Sequence, residues 1–193
     1  FGFHFASLDI RQNSKIHNQV FHKIVSSGII SIYKNYWELN EKDKLIALSG
    51  VSGYLSPKDF DDETTVSTLE SIQTMKLIQQ KNGEAGCNRY IISNNESALN
   101  VMETLAMFRL SGWENPTVDV VPLFESVNDL QNAHLVLDEL YTNDYYRNHL
   151  KSRDNRQIVM LGFSDGTKDG GYLMANWSIY KAKEMISEIS KKR

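Results

Sequence analysis

The feature that most constrains this chain is a repeated alternation. A short, almost uninterrupted apolar run gives way to a few polar residues and then to an amphipathic helical pattern. Three runs show it plainly: "NRYIIS" (88–93), "TVDVVPLF" (117–124) and "QIVMLGF" (157–163). A half-exposed strand alternates apolar and polar residues, whereas a run that is apolar throughout suits a parallel strand buried on both faces. "FGFHFASLD" (1–9) reads as a further strand at the start of the chain.

Helical spacing fills the intervals. Ile16, Val20 and Ile24 predict a helix over 14–34, and Val66, Leu69, Ile72 and Met75 one over 61–82 that stops at Gly83. Ser93-x-x-Glu96 has the form of a capping box for a helix reaching Gly112, with Val101, Leu105 and Phe108 inward. Leu130, Ala133, Val136, Leu137 and Leu140 mark the next helix. A long last helix carries Leu173, Trp177, Tyr180 and Ile189 on or near one face. Residues 35–60 are less regular, with a short helix in "EKDKLIALSG" closed by Gly50 and a loop at Pro57.

Strands alternating with helices imply parallel pairing through right-handed crossovers. A complete (β/α)8 barrel takes about 250 residues. Four strands in 193 residues therefore make either a small open sheet or about half a barrel. The chain begins at Phe1 inside an apolar run and stops at Lys191-Lys192-Arg193 without a tail, which favours the half-barrel. The expected fold is a helix-rich α/β chain, a partial (β/α)8 TIM-like barrel of about four parallel strands. Residues 1–193 would form a single partial catalytic-barrel unit of a larger enzyme.

Charge and composition narrow the function. A net charge of -3 and a pI near 6.0 do not supply the basic face that a nucleic-acid binder uses to replace counterions. No apolar run approaches the roughly 20 residues of a membrane span. Cys87 is the single cysteine, so an internal disulfide is excluded and a small buried residue is expected. Together these suggest a reducing compartment, the cytoplasm.

In parallel α/β folds chemistry gathers at the carboxyl ends of the strands. Reading those ends gives Asp9-Ile10-Arg11-Gln12, Ser93-Asn94-Asn95-Glu96, Glu125, and Ser164-Asp165-Gly166-Thr167-Lys168-Asp169. Carboxylates suit a hard divalent cation with open positions, while arginine and lysine suit phosphate oxygens. The competing reading of each residue singly is turn chemistry or a charge near a helix end. Gly162-Phe163-Ser164-Asp165-Gly166 also matches the G-x-S-x-G nucleophile elbow. That fold needs its histidine after the serine, however, and the last histidine here is His149. His4, His17, His22 and His134 show no metal-ligand spacing, although His22 or His149 could reach a site through folding.

Four segments taken in order resemble the phosphoenolpyruvate carboxylase family: "LDIRQ" (8–12), "RYIIS" (89–93) with Ser97, "VPLFESVNDLQNA" (121–133) and "GFSDGTKDGG" (162–171) with the following "ANWSIYKAKEMI". The resemblance covers nearly the whole chain. It implies a (β/α)8 barrel embellished by helices, which carboxylates phosphoenolpyruvate with bicarbonate to oxaloacetate and phosphate and requires Mg²⁺ or Mn²⁺. It implies Glu125 and Asp165 as metal ligands and Arg11 and Lys168 as catalytic, substrate-binding cations, with Ser164 shaping the turn that aims Asp165. It also implies a homo-oligomeric parent, a tetramer.

The family's catalytic histidine, its glycine- and arginine-rich loop and its inhibitor-binding part have no counterpart in these residues. The expectation is that this chain alone is inactive and self-associates through open strand edges. A non-catalytic barrel scaffold and another metal-dependent lyase acting on a phosphorylated acid are the alternatives. Gly166-Thr167 and Gly170-Gly171 stand where the family more often has Ser and Ala, which predicts a looser loop. Asn94-Asn95-Glu96 and Asn100 depart from the family pattern after the second strand.

Overall fold

The structure, a computed structural model, describes residues 6–33 and 35–193. Four strands pair in parallel in their order along the chain: β1 Asp9–Asn13, β2 Arg89–Ser93, β3 Asp119–Phe124 and β4 Met160–Leu161. The α-helices are α1 Ser14–Ser27, α2 Glu41–Gly50, α3 Glu63–Asn82, α4 Ala98–Leu110, α5 Val127–Thr142, α6 Asp144–Ser152 and α7 Ser164–Lys192. A parallel sheet in sequential order with helices in every connection is the architecture of part of an α/β barrel.

The two faces of the sheet differ. Tyr90, Ile92, Val120 and Phe124 join the main core with Phe21, Ile24, Leu105, Phe108 and Leu137 from the helices. Ile91, Val121 and Leu123 form a small separate cluster, as the two-residue period requires of side chains on the other face. Arg11 is in register with Ile91, and Ile91 with Val121. Arg11 therefore belongs to this second face, the one a barrel would enclose.

Several boundaries differ from the sequence reading, each for a local reason. Residues 1–5 of the predicted first strand lie outside the described residues, and β1 falls on Asp9–Asn13. Helix α1 ends at Ser27 because Gly28 turns left-handed, with φ 71°, and caps it. Helix α4 does not start from Ser93 and Glu96. Ser93 belongs to β2, Asn94 turns left-handed, and it is Asn100 that accepts from the N–H groups of Glu96 (3.0 Å) and Ser97 (3.2 Å).

Strand β4 keeps only two residues of the predicted 157–163. It pairs with β3 alone, and Ile158 and Met160 remain partly exposed. In α7, the expected shared face of Leu173, Trp177 and Tyr180 is turned outward, with Leu173 82% exposed. The buried residues are Gly166, Ala175, Ser178 and Ala182, small enough to let α7 lie close against α5. Gly171, with φ 78°, breaks α7 after its first turns.

Two ionisable groups of the interior are held by polar partners. Arg153 is buried and pairs with Asp119 (2.8 Å) and Glu84 (2.6 Å) at the amino end of β3. His17 meets the Tyr90 hydroxyl (2.9 Å) and the Thr104 hydroxyl (3.1 Å), and burial pulls its pKa down to about 3. Cys87 is buried, as expected.

Candidate metal and phosphate site

The carboxyl ends of the strands bring the four expected residues to one rim. Glu125 directly follows β3, two residues beyond Leu123 and four beyond Val121, so the strand's period carries it to the same face as Arg11. Arg11 is inside β1 rather than beyond it, and its Nη2 donates to Glu125 Oε1 at 2.9 Å. The N–H of Asn94 donates to Glu125 Oε2 at 2.8 Å. Both carboxylate oxygens are thus held, one from β1 and one from the residue that follows β2, and the Glu125 side chain is only 17% exposed.

Two glycines bring the last segment alongside. A Cβ on Gly162 would lie 3.0 Å from Glu125 Cα and 3.1 Å from its Cγ, so the chain leaving β4 passes Glu125 at a distance suited to glycine. Gly166 is buried, and a Cβ there would meet the Glu125 carbonyl oxygen at 3.4 Å. Between them stands Asp165, in the first turn of α7. Lys168 donates to Asp165 Oδ1 at 2.8 Å. That ammonium holds the Asp165 carboxyl below its usual range, with a further pull from Arg11, while Asp165 raises the Lys168 amine. Asp169 accepts from the Val127 N–H at 3.0 Å, fastening the first turn of α7 to the start of α5. An open depression of about 450 Å³ is lined by Asn94, Glu125, Ser126, Asp165, Lys168 and Asp169.

The loop around Asp165 is therefore tighter than its glycines suggested. A Cβ on Gly170 would fall 2.7 Å from Val127 Cγ2, so a glycine sits where Val127 leaves room for little else. The donor set fits Mg²⁺ or Mn²⁺: two carboxylates, all-oxygen ligands, with coordination positions left for water and phosphate. Among the described residues no cluster of three or more His, Cys, Asp and Glu could hold an ion alone.

Other residues at the predicted strand ends lie elsewhere. Asp9 pairs with Arg89 at 2.8 Å at the amino end of its strand, and Glu96 accepts from the Asn94 side chain at 3.0 Å. Ser164 is exposed, with no hydrogen-bond partner for its hydroxyl among the described residues, so the structure gives it no grip on the turn. His149 is buried beside Asp119 and Arg153 at the opposite end of the sheet, and burial lowers its pKa to about 4. His22 stacks on Trp37 between helices. Neither can serve Ser164 as a base. The role of the Asn94 N–H escaped the sequence reading. Its one signal was an asparagine directly after a strand, the residue type that best tolerates left-handed backbone.

Fold and rim together define a class: a parallel α/β chain of barrel type whose strand ends set Glu125, Asp165 and Lys168 around one open depression, with Arg11 paired to Glu125. The family model described as phosphoenolpyruvate carboxylase matches residues 1–193. The chain is 36% identical over 200 residues to the phosphoenolpyruvate carboxylase of Nitrosomonas europaea, covering 98% of this chain and 21% of that protein. It is 38% identical over 203 residues to that of Corynebacterium glutamicum (98% and 22%), and 36% identical over 201 residues to that of Gloeobacter violaceus (100% and 21%). The chain belongs to the phosphoenolpyruvate carboxylase family. It spans about a fifth of the length of these curated relatives. Among the described residues no helix is long and apolar enough to cross a membrane.

Proposed function

We propose that residues 1–193 are a partial catalytic barrel of an enzyme that carboxylates phosphoenolpyruvate with bicarbonate, giving oxaloacetate and phosphate. The carrying observation is the pairing of charges at the rim, Arg11 with Glu125 and Lys168 with Asp165, in a chain that matches the family from end to end. Before ligands arrive the four groups neutralise one another in two ion pairs.

On this reading Glu125 and Asp165 would hold the cation, and the Arg11 fork and the Lys168 point charge would then be available to the phosphate oxygens. A bound Mg²⁺ or Mn²⁺ supplies positive charge to the oxygen that becomes anionic as the phosphoryl group leaves. Arg11 and Lys168 meet the charge of the migrating phosphoryl group. Ser164 has no part in bond making on this reading. The full-length protein would work as a homo-oligomer, a tetramer by family resemblance. The lone, buried Cys87 supports a cytoplasmic setting.

The test is oxaloacetate formation by the full-length protein with phosphoenolpyruvate and Mg²⁺, with and without bicarbonate, beside Asp165→Asn. Product that depends on bicarbonate and falls by at least about 100-fold in the variant is expected, with an unchanged thermal midpoint because Asp165 is exposed. No product from folded wild type, or full activity in the variant, would defeat the assignment.

A further inference from the structure

The second oxygen of Glu125 is held by a residue in an uncommon backbone conformation. Asn94 ends the β2 rim with φ 52°, one of three non-glycine residues at positive φ among those described. Its conformation is fixed from both sides. The Asn94 carbonyl accepts from the hydroxyl of Ser14, the buried first residue of α1, and the next N–H, of the fully buried Asn95, donates to the Leu123 carbonyl at 3.1 Å. Its side chain turns away to Glu96. What Asn94 presents to Glu125 is therefore backbone alone, an N–H aimed at Oε2 over 2.8 Å.

We propose that Asn94 is a positioning residue whose left-handed backbone, locked by Ser14, sets the orientation in which Glu125 meets its cation. The inference rests on the reading of Glu125 as a metal ligand. The two hydrogen bonds on the carboxylate are unequal in permanence. The bond from Arg11 comes from a half-exposed side chain that is free to turn to an anion, whereas the Asn94 N–H cannot leave without rebuilding the turn. Oε2 is therefore the anchored oxygen, and Oε1 the one whose partner could be exchanged for a cation. Partners that orient a ligand in this way typically change metal affinity by about 10–100-fold.

Backbone logic sets the test, which uses full-length protein and Mn²⁺ binding followed by electron paramagnetic resonance. Glycine adopts positive φ freely and a β-branched residue does not. Asn94→Gly should keep the wild-type Mn²⁺ affinity within about threefold. Asn94→Val and Ser14→Ala should each weaken it about 10–100-fold. Circular dichroism confirms that each variant is folded, and Ser14→Ala, which only removes a buried hydroxyl, carries the test if Asn94→Val does not fold. Unchanged affinity in Ser14→Ala, or equal loss in Asn94→Gly and Asn94→Val, overturns the backbone role. Glu125→Gln separates the two levels. If it loses Mn²⁺ while Ser14→Ala does not, the inference alone falls; if it binds Mn²⁺ like wild type, the metal reading falls and takes the inference with it.

Discussion

Glu103 offers a sharp test of the energetics of this fold. It stands in α4, is 2% exposed, and receives only a long contact, 3.5 Å, from the Tyr36 hydroxyl. Its other oxygen has no hydrogen-bond partner. Burial pushes its pKa from 4.5 up to about 7, against smaller downward pulls from Asn18, Lys44 and Tyr36. The folded state therefore holds a proton that the unfolded state has released across the interval from pH 4.5 to about 7. Stability must fall as pH rises through that interval and level off above it. At about 1.4 kcal/mol per pH unit the loss is on the order of 3 kcal/mol, or very roughly 6–12 °C in thermal midpoint for a chain of this size.

Glu103→Gln removes this titration. The amide brings its own buried donor, which shifts stability by an amount independent of pH, so the slope and not the offset is the measurement. His17 and His149, both buried neutral, tilt the acid limb the other way in both proteins and cancel in the difference. Urea denaturation followed by tryptophan fluorescence, from about pH 4.5 to pH 8, should show wild type losing about 3 kcal/mol relative to the variant. Parallel curves would refute the claim that ionised Glu103 is buried at a cost.

Two further substitutions probe packing and pairing. Arg153→Ala leaves Asp119, and in part Glu84, without its counter-charge at the amino end of β3, and should destabilise by about 3–5 kcal/mol in denaturant; a loss under about 1 kcal/mol would show the pair to be dispensable. Gly170→Ala should cost about 1–3 kcal/mol because its methyl meets Val127 and Met174, and Val127→Ala should recover part of it in a double-mutant cycle. Additive effects would mean that the two side chains do not compete for the same space.

The strands that were easiest to read were those buried on both faces. Arg89–Ser93 and Asp119–Phe124 lie within the predicted runs because an apolar sequence there has both sheet faces to fill. "QIVMLGF" looked equivalent, yet only Met160–Leu161 pairs as strand. Helix α7 departs in another way. Its large residues share a face by their spacing, yet that face is exposed and the buried positions are the small Gly166, Ala175, Ser178 and Ala182, where closeness matters more than bulk. Arg11, Glu125, Asp165 and Lys168 could be picked out as candidates because side-chain chemistry is written in the sequence, and the structure brings them into two ion pairs. The grip of the Asn94 N–H on Glu125 could not be, because every residue but proline carries that donor and only its backbone angle makes this one special.

The interruption of α7 at Gly171 divides the rim into two mechanical parts. Glu125 is attached to the sheet, with Arg11 and Asn94 as its braces. Asp165 and Lys168 ride on a short helical piece ahead of the break, three residues apart on one turn, so their mutual spacing is set by helix geometry. The gap between the two carboxylates obeys no such rule: it depends on how that piece is seated, through Gly162, Gly166 and the Asp169 tether to α5. On the proposed metal reading, the fit to one cation radius over another would be tuned by residues other than the two carboxylates, and exchanging them would alter metal selectivity while leaving Glu125 and Asp165 in place.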